Sequence, residues 1–131
     1  MAIEARSYRN VVVAYDGTDG ARAALARAAA VAGTEGASLT LVQAASEESE
    51  ARRSLDEAIE SLDPSLAASP WVVTGPAAPG IIAVAEEIHA DLIVTGSRAR
   101  GQVIRTLLGS VSTELVQNAP CDVLVVHPPS E

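Results

Sequence analysis

The chain has 131 residues, of which 48% are hydrophobic and 20% charged, and this composition indicates one globular domain rather than a disordered segment. A net charge of −8 disfavours nucleic acid and anionic membranes as partners. All nine basic residues are Arg, which excludes mechanisms that need a lysine amine. No apolar run reaches the length of a membrane span, and residues 1–9 lack the apolar core of a signal peptide, so we expect a cytoplasmic protein.

Side chains for catalysis or metal binding are sparse. The single cysteine, Cys121, lies beside an apolar run, where we expect a buried and inert thiol. His89 and His127 are distant in sequence and form no Ser/His/Asp arrangement or metal-ligand pattern. We therefore expect no catalytic residue, no metal site and no general base.

Five short apolar runs predict β-strands, and they are continuously apolar rather than alternating. This pattern is typical of parallel strands that are covered on both faces. The predicted strands are 11–15, 39–44, 71–74, 92–95 and 123–127.

Four helical patterns lie between these strands. Their predicted bounds are Thr18 or Asp19 to Gly33, Ser46 to Pro64, Pro79 to Ile88, and Gly109 to Pro120. Alternation of strand and helix with right-handed crossovers predicts one α/β domain over residues 1–131, with an open, doubly wound, five-stranded parallel sheet and helices on both faces. We expect the tail, 128–131, to fray.

Unusual residues follow the first and fourth strands. Residues 14–18 read Ala-Tyr-Asp-Gly-Thr, and glycines, arginines and serines recur over residues 96–112. Ligands of such sheets bind at the carboxyl ends of strands where the strand order reverses. The order 3-2-1-4-5 brings both segments to one crevice, whereas 2-1-3-4-5 would place the reversal beside the third strand, so the residues favour the first order.

The glycine-rich segment contains groups that could bind phosphate. Gly96 would let the backbone approach a ligand, and Gly109 and Ser110 would offer free N–H groups and a hydroxyl at a helix N-terminus, with Ser112 adding a second hydroxyl. Arg98, Arg100 and Arg105 would add local positive charge. The alternative is that these residues only end a strand, cap a helix and solvate a loop. The residue pattern alone leaves both interpretations open.

Three segments carry a resemblance to a known family. Residues 11–18 read Val-Val-Val-Ala-Tyr-Asp-Gly-Thr, residues 90–98 read Ala-Asp-Leu-Ile-Val-Thr-Gly-Ser-Arg, and the closing segments are 107–112 and 119–126. In these segments, and over nearly its whole length, the chain resembles the universal stress protein family.

The resemblance implies a sensor or regulator, and a subset of the family binds ATP or AMP, with Mg²⁺ accompanying ATP. That subset carries the pattern G-x2-G-x9-G-[S/T], which falls here on Gly96, Ala99, Gly109 and Ser110, with alanine in place of the middle glycine. Because of Ala99 we expect weak binding that discriminates little between AMP and ATP. The nucleotide-binding residues that the resemblance implies are Ala14, Tyr15, Asp16, Ala44, Gly96, Arg98, Gly109, Ser110, Val111 and Ser112. The alternative for Asp16 is a cap of the first helix.

The last strand predicts how two copies would assemble. Nothing that follows Val123, Leu124, Val125 and Val126 in the chain covers their edge, and an open apolar edge favours pairing with a second copy. The resemblance also implies a homodimer. The competing hypothesis for function is a dimeric interaction protein of the same family with an empty crevice.

Overall fold

The computed structural model describes residues 3, 6–97 and 109–128. Within them, five strands alternate with four helices. In chain order they are β1 (Asn10–Ala14), α1 (Asp19–Glu35), β2 (Ser38–Ala44), α2 (Glu48–Glu60), β3 (Ala68–Val73), α3 (Ala77–Glu87), β4 (Leu92–Gly96), α4 (Ser110–Asn118) and β5 (Asp122–Val126).

The five strands form one parallel sheet in the order β3-β2-β1-β4-β5, which confirms the predicted fold class and strand order. β1 pairs with β2 on one side and with β4 on the other, with Val12 opposite both Thr40 and Ile93. The strand order therefore reverses between β1 and β4, and their carboxyl ends lie side by side.

The core consists of two layers, one on each face of the sheet. Val11 and Val13 pack with α1 and α2 on the first face, whereas Val12 packs with α3 and α4 on the second. All three side chains are fully buried. On the first face α1 presents a row of alanines, including Ala24 and Ala28. Since alanine is small, this helix lies close to the sheet, which fits a core that is almost free of aromatic side chains.

The end of α1 corrects the prediction at Gly33, which lies inside the helix. The helix ends at Gly36, whose φ is 73° and whose N–H donates to the Ala32 carbonyl at 2.8 Å. A left-handed residue at this position suits glycine because no Cβ opposes it. Of the two glycines in this segment, the one with the left-handed backbone terminates the helix.

Other element bounds also differ from the prediction. α2 begins at Glu48 rather than Ser46, and it ends at Glu60, before Pro64 is reached. β3 begins at Ala68 rather than Trp71 and therefore includes Pro70. Proline reads as a strand breaker, but an edge strand accepts it because one side of its backbone has no partner strand.

Cys121 is half-buried just before β5, so it is less buried than the sequence predicted. Burial, with the nearby carboxylates of Asp122 and Asp91, raises the pKa of the thiol. The protonated, weakly nucleophilic form therefore dominates at neutral pH. Among the described helices, none has the length and apolar character needed to cross a lipid bilayer.

Candidate functional site

A pocket of about 660 Å³ opens at the carboxyl end of the sheet, where β1 and β4 meet. Nine of the ten residues predicted to bind nucleotide line it: Ala14, Tyr15, Asp16, Ala44, Gly96, Gly109, Ser110, Val111 and Ser112. The tenth, Arg98, lies outside the described residues, as do Ala99, Arg100 and Arg105. The tertiary structure therefore brings together segments that are far apart in the chain.

The loop from β1 to α1 forms one polar wall of the pocket. Thr18 is the N-cap of α1, and its hydroxyl oxygen accepts a hydrogen bond from Ala21 N at 3.2 Å. Asp16 holds this cap in place, because its Oδ1 accepts hydrogen bonds from Thr18 N at 3.1 Å and from Thr18 Oγ1 at 2.6 Å. Asp16 itself is therefore not the cap, and its Oδ2 can accept a hydrogen bond from a ligand.

The opposite wall is apolar and built from small side chains. Ala14 and Ala44 close β1 and β2, and Ala77 and Ile81 come from α3. The alanines leave room between two strands and a helix, and such a slot suits a flat apolar group. Tyr15 lines the pocket but packs with the core cluster on the α1–α2 face, and its N–H donates to the Val42 carbonyl at 2.9 Å.

Gly96 is required for packing between α1 and β4. A Cβ at this position would clash with the carbonyl oxygen of Gly20, and a Cβ on Gly20 would lie 2.9 Å from the Ser97 carbonyl oxygen. The two glycines therefore let the first turn of α1 rest on the end of β4. The sequence interpretation attributed the missing side chain of Gly96 to a ligand, whereas here it makes room for the protein's own backbone.

The N-terminus of α4 supplies hydrogen-bond donors at the pocket. Gly109 is its N-cap and has no side chain with which to cap the helix, and its carbonyl accepts from Thr113 N at 2.9 Å. The first N–H groups of a helix have no partner within it, and they carry the positive end of the helix dipole. The exposed Ser110 and half-buried Val111 follow in this first turn. This end of the pocket can receive an anionic group.

The hydroxyl of Ser112 is engaged within the protein. It donates a hydrogen bond to the Gly96 carbonyl oxygen at 2.7 Å and lies 3.4 Å from the Thr95 hydroxyl. Both side chains are buried. The sequence predicted that this hydroxyl would bind phosphate, but it already donates its hydrogen bond to β4.

Sequence reasoning missed the contribution of α3 to the pocket. The helix that follows β3 lies over the second face of the sheet and presents Ala77 and Ile81 to the pocket. The pairing of alanine with isoleucine one turn later was the only signal, and it is also what a core helix shows. Of the residues that the structure describes, no group of three or more His, Cys, Asp or Glu side chains could hold a metal ion.

Comparisons with known proteins agree with this architecture. A universal stress protein in complex with cAMP superimposes with a TM-score of 0.81 at 29% identity, covering 95% of this chain and all of the other. A member of the family from Burkholderia pseudomallei gives a TM-score of 0.75 at 28% identity, covering 93% of this chain and 97% of the other. A protein of Archaeoglobus fulgidus in complex with dAMP, 23% identical with a TM-score of 0.74 over 92% of this chain and 98% of the other, shows the shared fold.

Sequence comparisons lead to the same family. A curated Staphylococcus aureus protein that carries the universal stress protein name is 52% identical over 44 residues, and this match spans 34% of the present chain but only 26% of that protein. The sequence pattern of the Universal stress protein family matches residues 7–127, which is nearly the whole chain. The chain therefore belongs to the universal stress protein family.

Proposed function

We propose that the protein binds an adenine nucleotide in the pocket between β1 and β4 and acts as a sensor or regulator. The observation that carries the proposal is the pairing of an apolar slot with an open helix N-terminus across one pocket of about 660 Å³. An aromatic base fits the first element, and a phosphate fits the second. Neither His89 nor His127 lines this pocket, which favours binding over catalysis.

The roles of individual residues follow from the geometry of the pocket. Ala14 and Ala44 would contact the base, Asp16 would accept a hydrogen bond from the ribose or base through Oδ2, and the first turn of α4 would contact the phosphate. The neighbour described in complex with cAMP shares 29% identity over 95% of this chain, which supports an adenine nucleotide as the ligand. AMP, cAMP and ATP with Mg²⁺ are the candidates to compare.

Calorimetric titration with adenosine, AMP, cAMP and ATP with Mg²⁺ tests this proposal. Trp71 provides a second readout because it pairs in the sheet with Val42, which lines the pocket, and it is the only tryptophan in the chain. We expect saturable binding of the nucleotides together with a change in Trp71 fluorescence. Absence of binding by all four compounds would overturn the proposal.

A size change in the slot locates the ligand. Ala44→Leu adds volume where the base would lie, so it should abolish binding while the fold is kept. Ala67→Leu is the matched control, because Ala67 is exposed just before β3 and does not line the pocket. Equal nucleotide affinity in both variants would show that the base lies elsewhere.

We also propose that two copies pair through the outer edge of β5, which has no second partner strand among the residues that the structure describes. Its residues Val123, Leu124 and Val125 are only half-buried, and Val116 on α4, the helix that contacts β5, is 51% exposed. An apolar strand edge of this kind is a pairing surface, and a two-fold axis would place the two β5 strands side by side.

The two edge strands differ in a way that favours β5. The Val73 carbonyl of β3 and the Val126 carbonyl of β5 accept hydrogen bonds from residues on the side of the neighbouring strand. Backbone groups alternate in direction along a strand, so those of Pro70 and of Val125 face the free edges. Proline has no N–H, so β3 lacks the donor that residue 70 would otherwise offer at its outer edge, whereas β5 keeps the N–H of Val125 at its own.

Sedimentation of two proline variants tests this pairing. Val125→Pro removes an outward donor from β5 and should convert a dimer to a monomer, whereas Val72→Pro makes the same change at the β3 edge and should leave the dimer intact. A monomeric mass for the unmodified protein at micromolar concentration would exclude the proposed dimer.

A further inference from the structure

We propose that Ser112 is a positioning residue, which together with Thr95 holds the first turn of α4 against the end of β4 and leaves the phosphate contact to Ser110. This inference rests on the proposed function, because it assigns roles within the same nucleotide pocket. It departs from the sequence expectation that Ser112 itself meets the phosphate.

The hydrogen-bond inventory of the two hydroxyls carries the argument. A serine hydroxyl has one hydrogen, and that of Ser112 is donated to the Gly96 carbonyl oxygen at 2.7 Å. The contact at 3.4 Å between the hydroxyls of Thr95 and Ser112 must then be donated by Thr95. The direction is therefore fixed along a chain from Thr95 through Ser112 to Gly96.

This direction prevents Ser112 from serving a phosphate. Phosphate oxygens at neutral pH mainly accept hydrogen bonds, and the hydrogen of Ser112 is already used. Ser112 is 2% exposed and Thr95 3% exposed, so breaking their bonds would leave buried polar groups without partners. Ser110, the first residue of α4, is exposed and lines the same pocket. It is the serine that can donate to a ligand.

The Gly96 peptide is held from both sides. The backbone of Gly20 in α1 occupies the space where its Cβ would lie, while the hydroxyl of Ser112 in α4 binds its carbonyl oxygen. The first turns of α1 and α4 therefore both contact one peptide at the end of β4. Loss of the Ser112 bond frees the first turn of α4 to move away from β4, which displaces its N–H groups from a bound phosphate.

A double-mutant cycle for AMP affinity tests the positioning role. Thr95→Val and Ser112→Ala each remove one hydroxyl, and each should weaken AMP by about three- to tenfold, the loss expected for one ordinary hydrogen bond. The double variant should be no weaker than the worse single variant, because both substitutions break the same chain. Adenosine, which lacks the phosphate, should bind all three variants with about its original affinity.

Ser112→Thr and Ser110→Ala provide the matched controls. Ser112→Thr keeps the hydroxyl and should restore AMP affinity. Ser110→Ala should weaken AMP additively with Thr95→Val, since the Ser110 hydroxyl lies outside the chain from Thr95 to Gly96. If Ser112→Ala weakens AMP while Thr95→Val has no effect and neither substitution changes the free energy of unfolding, then Ser112 contacts the phosphate directly and the positioning role is wrong.

The same double-mutant cycle, measured on the free energy of unfolding, separates this inference from the proposed function. If the protein binds no adenine nucleotide, the proposed function fails, but the free energies of unfolding of the four proteins still report on the hydroxyl chain. Non-additive losses for Thr95→Val and Ser112→Ala are expected, and additive losses would overturn the chain itself.

Discussion

At the amino end of the sheet, side chains fill the hydrogen-bonding positions that strands and helices leave open, whereas at the carboxyl end backbone donors face a pocket. Asp91 accepts hydrogen bonds from Arg9 N and Asn10 N at 3.0 Å each, and the Asn10 side chain donates to the Ile88 carbonyl oxygen at 3.3 Å. Ser38 Oγ donates to Asn10 Oδ1 at 2.8 Å. This end is closed by its own side chains.

At the carboxyl end, side chains do not satisfy all of the backbone groups at the ends of the helices. α1 is capped there by Thr18, but α4 begins at Gly109, which has no side chain. In a parallel sheet with crossover helices, every helix starts at this end, so the unpaired N–H groups gather here and the unpaired carbonyls gather at the other end. The two ends therefore differ in how their hydrogen-bonding groups are satisfied: side chains close the amino end, whereas the backbone donors at the carboxyl end face the pocket of the proposed ligand.

Gly96→Ala should have the largest effect, because it disturbs both stability and binding. The new methyl group would clash with the carbonyl oxygen of Gly20, a backbone atom that cannot rotate away. We expect a loss of about 3 kcal/mol in the free energy of unfolding, measured by urea denaturation, together with weaker nucleotide binding.

Gly33→Ala is the matched control for this substitution. A Cβ on Gly33 meets only Leu66 Cδ2, at 3.8 Å, within the helix α1. Replacement of a helical glycine by alanine should stabilise the protein by about 0.5–1 kcal/mol and leave binding unchanged. Similar stabilities for the two variants would contradict the close contact between Gly20 and Gly96.

Substitution of one aspartate at each end of the sheet should affect mainly stability at the amino end and mainly nucleotide binding at the carboxyl end. Asp91→Ala removes the acceptor of two backbone N–H groups and should lower the free energy of unfolding by about 1.5–3 kcal/mol with nucleotide affinity intact. Asp16→Ala should reduce the free energy of binding by about the same amount, while Thr18 continues to cap α1. Urea denaturation and calorimetric titration of both variants measure the two effects. If Asp16→Ala lowers stability but leaves affinity unchanged, Asp16 only supports the cap.

Tyr8 should give the smallest effect, seen as a pH dependence of stability. Its hydroxyl donates to Asp122 Oδ2 at 2.8 Å, and this bond, with burial and the charges of Asp122, Asp91 and Glu35, raises its pKa from 10.0. The folded state therefore holds the proton more tightly than the unfolded chain does. The stabilisation is fully present below about pH 10 and is lost as pH rises through the raised pKa.

Tyr8→Phe removes this ionisable group and its hydrogen bond. Unfolding by urea between about pH 8 and pH 11 should show a smaller decline in stability for the variant than for the unmodified protein. Nucleotide affinity at neutral pH should be equal in the two proteins, since Tyr8 lies at the closed end. Identical pH profiles would mean that the Tyr8–Asp122 bond contributes nothing to the folded state.

The sequence alone determined the strand order and the place of the pocket. Continuous apolar runs predicted buried parallel strands, and the polar residues after the first and fourth runs selected the order that makes those strands neighbours, which the sheet confirms. This works because the carboxyl ends of parallel strands share one edge, so a motif that follows a strand is placed once the strand order is known.

Only the tertiary structure decided what each residue at that edge does. Glycine at residue 96 reads the same whether a ligand or Gly20 occupies the space beside it, and the serine at residue 112 reads the same whether its hydrogen meets a phosphate or the Gly96 carbonyl oxygen. The contact partners are 76 and 16 residues away in the chain, so no local pattern encodes them. Such roles depend on distances of about 3 Å between elements, which packing sets and residue order does not.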